Sequence, residues 1–290
     1  MDRVAGRIVL LTKSLGARAV ALAIFAVLAV LVAGSAAAEG RVLWIAMTNA
    51  QKDSGIVDVL LPDFVAKSGY AVRVVAREIG AVAVRARKGE VDVIFADSPA
   101  VEEALVAEGV AVRRTPFMES RYVIVGPKAD PAGIARVPKP EAALGQILRL
   151  HMPFVSRFDE SSAHLREREL LRAAGLDPDA RLDGVSRTGT SMRESLRTAS
   201  ERRAYVIADL GTFLTLKNEV ELAVLSKPSP ALGVVHSILQ LDPTRFERAL
   251  EIEGAKALEQ FLVSPEAQAR IAAFGVDRFG EAPFAPRTRP

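Results

Sequence analysis

Three polar loops hold the residues most able to bind a ligand. Each loop follows an apolar run and precedes a predicted helix: 47–55, 77–80 and 156–162. A helix N-terminus presents unpaired backbone N–H groups and a partial positive charge, so it can bind an anion or a ligand carboxylate. Arg157 adds a planar guanidinium close to the third helix start. The loops therefore predict a site for a small anion, although a serine at a helix start can also be only a cap.

Other kinds of chemistry find less support. His151, His164 and His236 are far apart and show no metal-ligand spacing, and His164 is expected to cap or pack near its helix start. Serine catalysis would need a G-x-S-x-G-like elbow and a positioned histidine, which no segment provides. We therefore predict no catalytic residue, no metal site and no cofactor. An enzyme is the least favoured class.

Short apolar runs alternate with helical patterns in the first part of the chain. The runs 42–46, 72–76 and 91–96 are typical of buried strands, and a helical pattern follows each of them. This alternation indicates βαβ units and a mainly parallel sheet. A Pro- and Gly-containing stretch, 127–140, precedes a second α/β segment, and the apolar run 234–241 could return the chain to the first. We predict an α/β fold of two lobes with a ligand cleft between them.

The C-terminal region is predicted to hold two helices within 245–274. Ser264 and Pro265 separate them, with Pro265 at the favoured first helical position. Residues after Gly280 are rich in Pro and Arg, and we expect them to be frayed.

The first 38 residues have the pattern of an export signal. Four basic residues precede an apolar run, 19–33, that ends in small residues. This pattern predicts a secretory signal peptide cleaved after Ala38, and hence a periplasmic protein. The run is short for a bilayer crossing, which needs about 20 apolar residues. An uncleaved anchor helix is the alternative.

Charge and cysteine content narrow the possible functions. The leader holds four basic residues and one acidic residue, so the rest of the chain, with 34 of each, has a formal charge of zero. Nucleic-acid binding would need a net basic face, and we do not expect it. The chain contains no cysteine, which excludes disulfides, thiolate metal sites and a lipidated cysteine anchor.

Six blocks of sequence carry a family resemblance. In chain order they are DSGIVDVLLPDF at 53–64, EG at 108–109, VIVGPKADPAG at 123–133, FVSR at 154–157, GTSM at 189–192 and YVIADLGT at 205–212. They resemble the tungstate-binding proteins of ABC transporters, which are periplasmic solute-binding proteins. The resemblance implies the two-lobed type II fold, with lobe 1 formed by 39–127 and 242–290 and lobe 2 by 128–241.

The resemblance also implies a function and a set of contacts. It implies a monomer that captures an oxyanion such as tungstate or molybdate and delivers it to an ABC permease, which would be its only contact with the membrane. Hinge closure would bring the lobes together on the solute. The residues expected to contact the solute are Thr48, Asn49, Ser54 and Gly80 from lobe 1 and Arg157, Ser161 and Ser162 from lobe 2.

The chain departs from the family pattern where the solute should bind. The departures are Met47, Ala50, Glu78, Phe158 and Ala163 in the three loops, with Val234 and His236 in place of an Asn and Tyr pair. Glu78 matters most, because a carboxylate facing a doubly charged oxyanion is repelled by a few kcal/mol at about 4 Å and an effective dielectric near 20.

The sequence leaves several roles of the Glu78 side chain open. It could be solvated at the rim, pair with Arg157, or indicate a different solute. With His164, it is a possible modulator of the site. The second hypothesis is a sensory or interaction protein that keeps the two-lobed fold but has lost the oxyanion site or binds another small solute.

Overall fold

The fold is organised around β-strands. A computed structural model describes residues 41–287, so the predicted leader, 1–38, lies outside the described residues. The strands of this range are β1 (Val42–Thr48), β2 (Ala71–Arg77), β3 (Val93–Ala96), β4 (Ala111–Pro127), β5 (Phe154–Ser156), β6 (Val185–Arg187), β7 (Tyr205–Asp209), β8 (Leu222–Val224), β9 (Gly233–Leu241) and β10 (Ala285–Pro286). They join in the order β2-β1-β3-β9-β4-β7-β5-β6, and β8 and β10 both pair with β4.

Helices fill most of the connections between these strands. They are α1 (Asn49–Asp53), α2 (Ile56–Ser68), α3 (Ile79–Arg87), α4 (Pro99–Ala107), α5 (Pro140–Arg149), α6 (Ser162–Ala173), α7 (Met192–Glu201), α8 (Leu210–Leu216), α9 (Ile252–Leu262), α10 (Pro265–Ala273) and α11 (Val276–Phe279), with single 3-10 turns at Ile134–Arg136, Pro230–Leu232 and Pro243–Arg245. The predicted α/β class is confirmed. Across residues 41–287, every helix falls short of the length or hydropathy that a bilayer crossing requires.

The start of α2 differs from its prediction. The sequence predicts a helix capped by Asp53 and Ser54, but Asp53 is the last residue of the short helix α1. Thr48 and Gln51 form a capping box at the start of α1, which explains why a helix begins directly after β1. Gly55 then begins α2 with φ +83°, a left-handed conformation that suits glycine.

The sheet is mixed rather than mainly parallel as predicted, and the strands β2, β1 and β3 form one of its two parallel parts. β1 pairs with β2 along its whole length and with β3 on its other edge. Leu43 and Ile45 join one hydrophobic cluster and Ala46 another, as expected when successive side chains point to opposite faces. β9 pairs antiparallel with β3, so the apolar run 234–241 does return the chain to this part of the sheet.

Strand β4 connects the two ends of the sheet. Its first part, up to Arg121, pairs with β9, and its last part, from Tyr122, pairs with β7 and β8. The register shifts between Pro116 and Met118, where a proline cannot donate a ladder hydrogen bond. The lobe boundaries given above remain predictions, and β4 takes part in both ends of the sheet.

The second end of the sheet is built from β5, β6 and β7. β5 pairs parallel with both β6 and β7, and its three residues are buried. Helices α5, α6, α7 and α8 contribute apolar side chains to one hydrophobic cluster with these strands. A fully buried Leu, Ile or Phe side chain stabilises a fold by about 1.5–3 kcal/mol relative to an exposed one. Rigid packing of this kind holds the loops after β5 and β7 in place.

Residues 281–287 are packed against the rest of the protein, contrary to the predicted fraying after Gly280. Phe284 is buried and lies 5.9 Å, ring to ring, from Phe274. The following strand, β10, pairs with Glu119 and Met118 of β4. The reason is the aromatic side chain, which the Pro- and Arg-rich composition conceals: burying one phenylalanine is enough to fix the short segment around it.

Candidate functional site

Five charged or hydroxyl side chains meet where strands end. Thr48 ends β1, Glu78 follows β2, Asp97 follows β3, Arg157 follows β5 and Asp209 ends β7. Ligands of open α/β sheets bind outside the carboxyl ends of their strands, so this position is the expected one. We call the region between these residues and Ser162 the cleft.

Arg157 is the central cation of the cleft. Only 4% of the residue is exposed, and within residues 41–287 it is the only buried Lys or Arg. Its Nη2 donates to Glu78 Oε1 at 2.8 Å and to Asp159, and its Nε donates to the carbonyl oxygen of Thr190 at 3.2 Å. A buried guanidinium requires such partners, because an unpaired buried charge is strongly destabilising.

Glu78 faces the cleft rather than its own helix. It is the N-cap residue of α3, but its side chain makes no capping hydrogen bond. Its Oε1 accepts instead from Asn49 Nδ2 at 2.9 Å and from Arg157. Of the roles that the sequence left open for Glu78, the structure shows the ion pair with Arg157. It brings the loop after β2 into contact with the loop after β5.

Asp97 makes a second connection across the cleft, and the sequence analysis missed it. It is buried, and its two carboxylate oxygens accept from the hydroxyls of Thr48, at 2.9 Å, and Ser162. Burial raises the pKa of Asp97 to about 6, while the two hydroxyl donors lower it. Asp97 could have been found from the sequence, because it lies between a buried strand and a helix start, as the residues of the three predicted loops do.

The other predicted contacts surround this centre in different ways. Ser161 caps α6, where its Oγ accepts from the backbone N–H of His164 at 3.2 Å. Gly80 lies in the first turn of α3, and the space on its side-chain side is open. Ser54 is buried at the end of α1, where its hydroxyl donates to the carbonyl oxygen of Gln51 at 2.8 Å. A solute contact through the Ser54 hydroxyl remains a prediction and requires that bond to break.

His164 has the local role expected of it. The side chain is buried in α6, and its Nδ1 accepts from the backbone N–H of Glu160 at 3.0 Å. Its ring also lies 5.3 Å from that of Phe158. Burial lowers the pKa of His164, which favours the neutral ring that this hydrogen bond requires.

A groove is lined by Gly80 and Phe158, which lie close in sequence to Glu78 and Arg157. Its volume is about 560 Å³, and its walls come from α3 and α4 on one side and from α6 and the loop before it on the other. Phe158 lies on this wall with φ +49°, a conformation that is uncommon for a bulky residue, and the guanidinium of Arg187 lies 4.2 Å from its ring centre.

A much smaller cavity lies behind the cleft. Its volume is about 10 Å³, close to the space that one water molecule needs, and Asp97, Tyr122 and Asp209 line it. His236 closes it between Gln51, at 3.0 Å, and Ser120, at 2.7 Å. Burial lowers the pKa of His236 to about 3, so this histidine is neutral at physiological pH.

The cleft holds more acidic than basic groups. Burial raises the pKa of Asp53, and Glu78 raises it further, whereas Arg193 lowers it. Burial is also the main cause of the raised pKa values of Asp209 and Tyr122. Within residues 41–287, no group of three His, Cys, Asp or Glu side chains could hold a metal ion. The arrangement therefore suits a ligand held by Arg157, hydroxyls and backbone N–H groups, provided that the ligand displaces Glu78 and Asp97 from these donors.

Comparison with other proteins supports a ligand of this kind. Over 251 residues the chain is 32% identical to the tungstate-binding protein TupA of Peptoclostridium acidaminophilum, an alignment that covers 86% of each protein. A crystal structure described as the tungstate ABC transporter from Geobacter sulfurreducens is 32% identical, with a TM-score of 0.73, covering 80% of this chain and 98% of that one.

A second solved structure and a family model agree. The tungstate-binding protein TupA from Desulfovibrio alaskensis G20 is 29% identical, with a TM-score of 0.76, covering 86% of this chain and all of that one. The predicted two-lobed α/β fold is thus confirmed. Residues 50–277 match the model of one family over most of the chain. This protein belongs to the family of bacterial extracellular solute-binding proteins.

Proposed function

We propose that this protein is the periplasmic solute-binding component of an ABC importer and that its solute is a small oxyanion such as tungstate or molybdate. The observation that carries the proposal is the buried guanidinium of Arg157 at the meeting point of strand-end loops. The names of the relatives, which bind tungstate, support the choice of solute. In this proposal the protein works as a monomer, has no catalytic step and reaches the membrane only through a permease.

The mechanism follows from the contacts that Arg157 now makes. The carboxylate oxygen of Glu78 lies on Arg157 Nη2 as a solute oxygen would, so Glu78 stands in for the solute. An oxyanion that enters the cleft replaces Glu78 on the guanidinium and accepts further hydrogen bonds from Asn49, Ser161, Ser162 and the first turn of α3. Both walls of the cleft then hold one solute, and their combined outer surface meets the permease.

A second candidate is a two-lobed sensory or interaction protein that binds no oxyanion. One observation favours it: the Glu78–Arg157 ion pair itself links the two walls of the cleft. In that case the ion pair is the permanent partner of Arg157, and the acid-rich cleft excludes anions. The two candidates differ in a single measurable property, which is whether an oxyanion binds.

Titration calorimetry with tungstate, molybdate and sulfate tests the proposal. We expect saturable binding of at least one anion by the wild-type protein and its loss in Arg157→Ala. Arg197→Ala is the matched control, because Arg197 is exposed and pairs with Glu194 at 2.8 Å and Glu219 at 3.1 Å. The proposal is contradicted if the folded wild-type protein gives no heat with millimolar anion. It is also contradicted if Arg157→Ala binds as tightly as Arg197→Ala.

A further inference from the structure

The hydroxyl hydrogens of the cleft are already donated to one carboxylate. Thr48 Oγ1 donates to Asp97 Oδ2 at 2.9 Å, and Ser162 Oγ donates to Asp97 Oδ1. A hydroxyl has a single hydrogen, so neither group can donate to a second acceptor at the same time. An oxyanion without hydrogen is only an acceptor. It therefore competes with Asp97 for both hydroxyls.

The same competition exists at the guanidinium. Glu78 accepts from both Arg157 and Asn49, so it takes one donor from each wall of the cleft. A fully deprotonated oxyanion therefore meets two carboxylates, each of which holds two donors of the cleft. Both carboxylates also repel it, because all three groups are negatively charged.

One proton removes much of this competition. A protonated carboxyl group is a donor, so a hydroxyl such as that of Thr48 can accept from it and turn its own hydrogen toward the solute. An oxyanion that carries a hydroxyl donates its hydrogen to Asp97 and accepts from Arg157 through another oxygen. Protonation of Asp97 removes one negative charge from the cleft, whereas a hydroxyl on the solute replaces the repulsion between two acceptors by a hydrogen bond.

The groups around Asp97 favour the protonated form. Glu102 of α4 and Asp209 at the end of β7 raise the pKa of Asp97, after burial, which is the largest cause. Tyr122 of β4 and the neutral His236 of β9 line the small cavity beside it. The partners that Asp97 has from β1 and α6 are uncharged hydroxyls.

The charges around Glu78 are mixed. Arg157 pairs with it directly, and Asp159 shares that guanidinium. Asp53 of α1 also interacts with Glu78 electrostatically, and Lys52 and Arg193 act on Asp53 in turn. Glu78 is thus neutralised by a cation, whereas Asp97 is not. This contrast singles out Asp97 as the group that takes up a proton.

We propose that the cleft captures an oxyanion together with one proton, carried either by Asp97 or by the solute itself, and that Asp97 enforces this requirement. The inference rests on the proposed function and narrows its solute class. Oxyanions that keep a hydroxyl hydrogen, such as hydrogen phosphate, are favoured over sulfate. Fully deprotonated anions such as molybdate bind with uptake of a proton from the solvent, so they bind more tightly in acid.

Calorimetry at several pH values tests this coupling. We titrate the wild-type protein with molybdate at micromolar concentration, and with sulfate and inorganic phosphate, between pH 5.5 and 8.5. Each titration is repeated in two buffers with different ionisation enthalpies, which gives the number of protons taken up. Molybdate and sulfate are expected to bind about tenfold more weakly for each pH unit above the pKa of Asp97, with close to one proton taken up per anion.

The variant Asp97→Asn separates the inference from the proposed function. The amide is neutral and of similar shape, so we expect molybdate affinity at pH 8 to rise by about 100-fold, proton uptake to vanish and the preference for phosphate over sulfate to fall. Asp242→Asn is the matched control, because Asp242 also accepts a threonine hydroxyl, from Thr244 at 2.7 Å, but in an exposed position. Circular dichroism confirms that each variant is folded.

The outcomes are distinguishable. Anion binding with the same affinity at all pH values and no proton uptake overturns the inference and leaves the proposed function standing. An Asp97→Asn variant that behaves like Asp242→Asn overturns it as well. If wild type, Asp97→Asn and Glu78→Gln all fail to bind any of the anions at any pH, the proposed function itself is wrong and the inference falls with it.

Discussion

Replacing Glu78 by glutamine should make the protein a better oxyanion binder. Glu78 Oε1 lies 2.8 Å from Arg157 Nη2, so a solute that binds Nη2 in the same way must displace this carboxylate. The Glu78 side chain is 27% exposed, which lets solvent weaken the ion pair without abolishing it. Glutamine keeps the size of the side chain but removes its charge, and Arg157 keeps Asp159 as a partner.

The size of the effect follows from the hydrogen bond that is lost. A hydrogen bond to a charged group contributes about 1.5–3 kcal/mol, whereas one between neutral groups contributes about 1 kcal/mol. Removing the charge of Glu78 also removes part of its repulsion of the anion, which solvent exposure reduces. Together these terms predict a gain of roughly 10-fold to 100-fold in affinity for molybdate, since each 1.4 kcal/mol is a factor of ten.

Titration calorimetry of Glu78→Gln against wild type measures this gain. Glu194→Gln is the matched control. Glu194 also pairs with an arginine, Arg197, at 2.8 Å, but that ion pair is exposed, whereas the Glu78–Arg157 pair is largely buried. We expect the control to bind like wild type. Equal or weaker binding by Glu78→Gln would refute the idea that Glu78 competes with the solute, and would show that it supports the site instead.

Two further predictions concern stability. Burial raises the pKa of Glu167 from its ordinary 4.5 to about 7, so the stability that comes from its neutral form is present at low pH and is lost as the pH rises from 4.5 to 7. Glu167→Gln should therefore be more stable than wild type at pH 8, by up to roughly 3 kcal/mol, and urea unfolding at pH 5 and pH 8 checks this difference. Phe284→Ala should destabilise the protein by roughly 3 kcal/mol in the same assay, because Phe284 is buried; a loss below 0.5 kcal/mol would show that the tail is not part of the folded unit.

Elements with strong local patterns were predictable from the sequence. The apolar runs of β1, β2 and β3 and the glycine-ended helix α2 have the predicted identity. In β3 and most of β1 the cause is burial on both faces of a parallel sheet, which leaves continuous apolar sequence, whereas β2 is an edge strand whose residues are exposed or half-buried. β4 was missed because its residues 111–121 alternate irregularly and include Pro116. Its partners, β9 and β7, are far away in the sequence, so no local signal reveals the pairing.

The site was predictable only in part. Arg157 and Glu78 were identified by their places after strands, and their pairing was one of several open readings. Asp97 was missed because the hydroxyls that contact it, on Thr48 and Ser162, lie 49 and 65 residues away, and no spacing rule connects them. A departure from a family pattern shows where a site has changed, but the new contacts depend on tertiary structure.

A crystal structure of the protein with tungstate tests the central claim most directly. The anomalous scattering of tungsten locates the anion without ambiguity. We predict one strong anomalous peak in the cleft, with a tungstate oxygen about 2.9 Å from a guanidinium nitrogen of Arg157. Glu78 is then displaced from its contact with Arg157. A peak elsewhere, or a cleft without tungsten in which Glu78 still contacts Arg157, would contradict the claim.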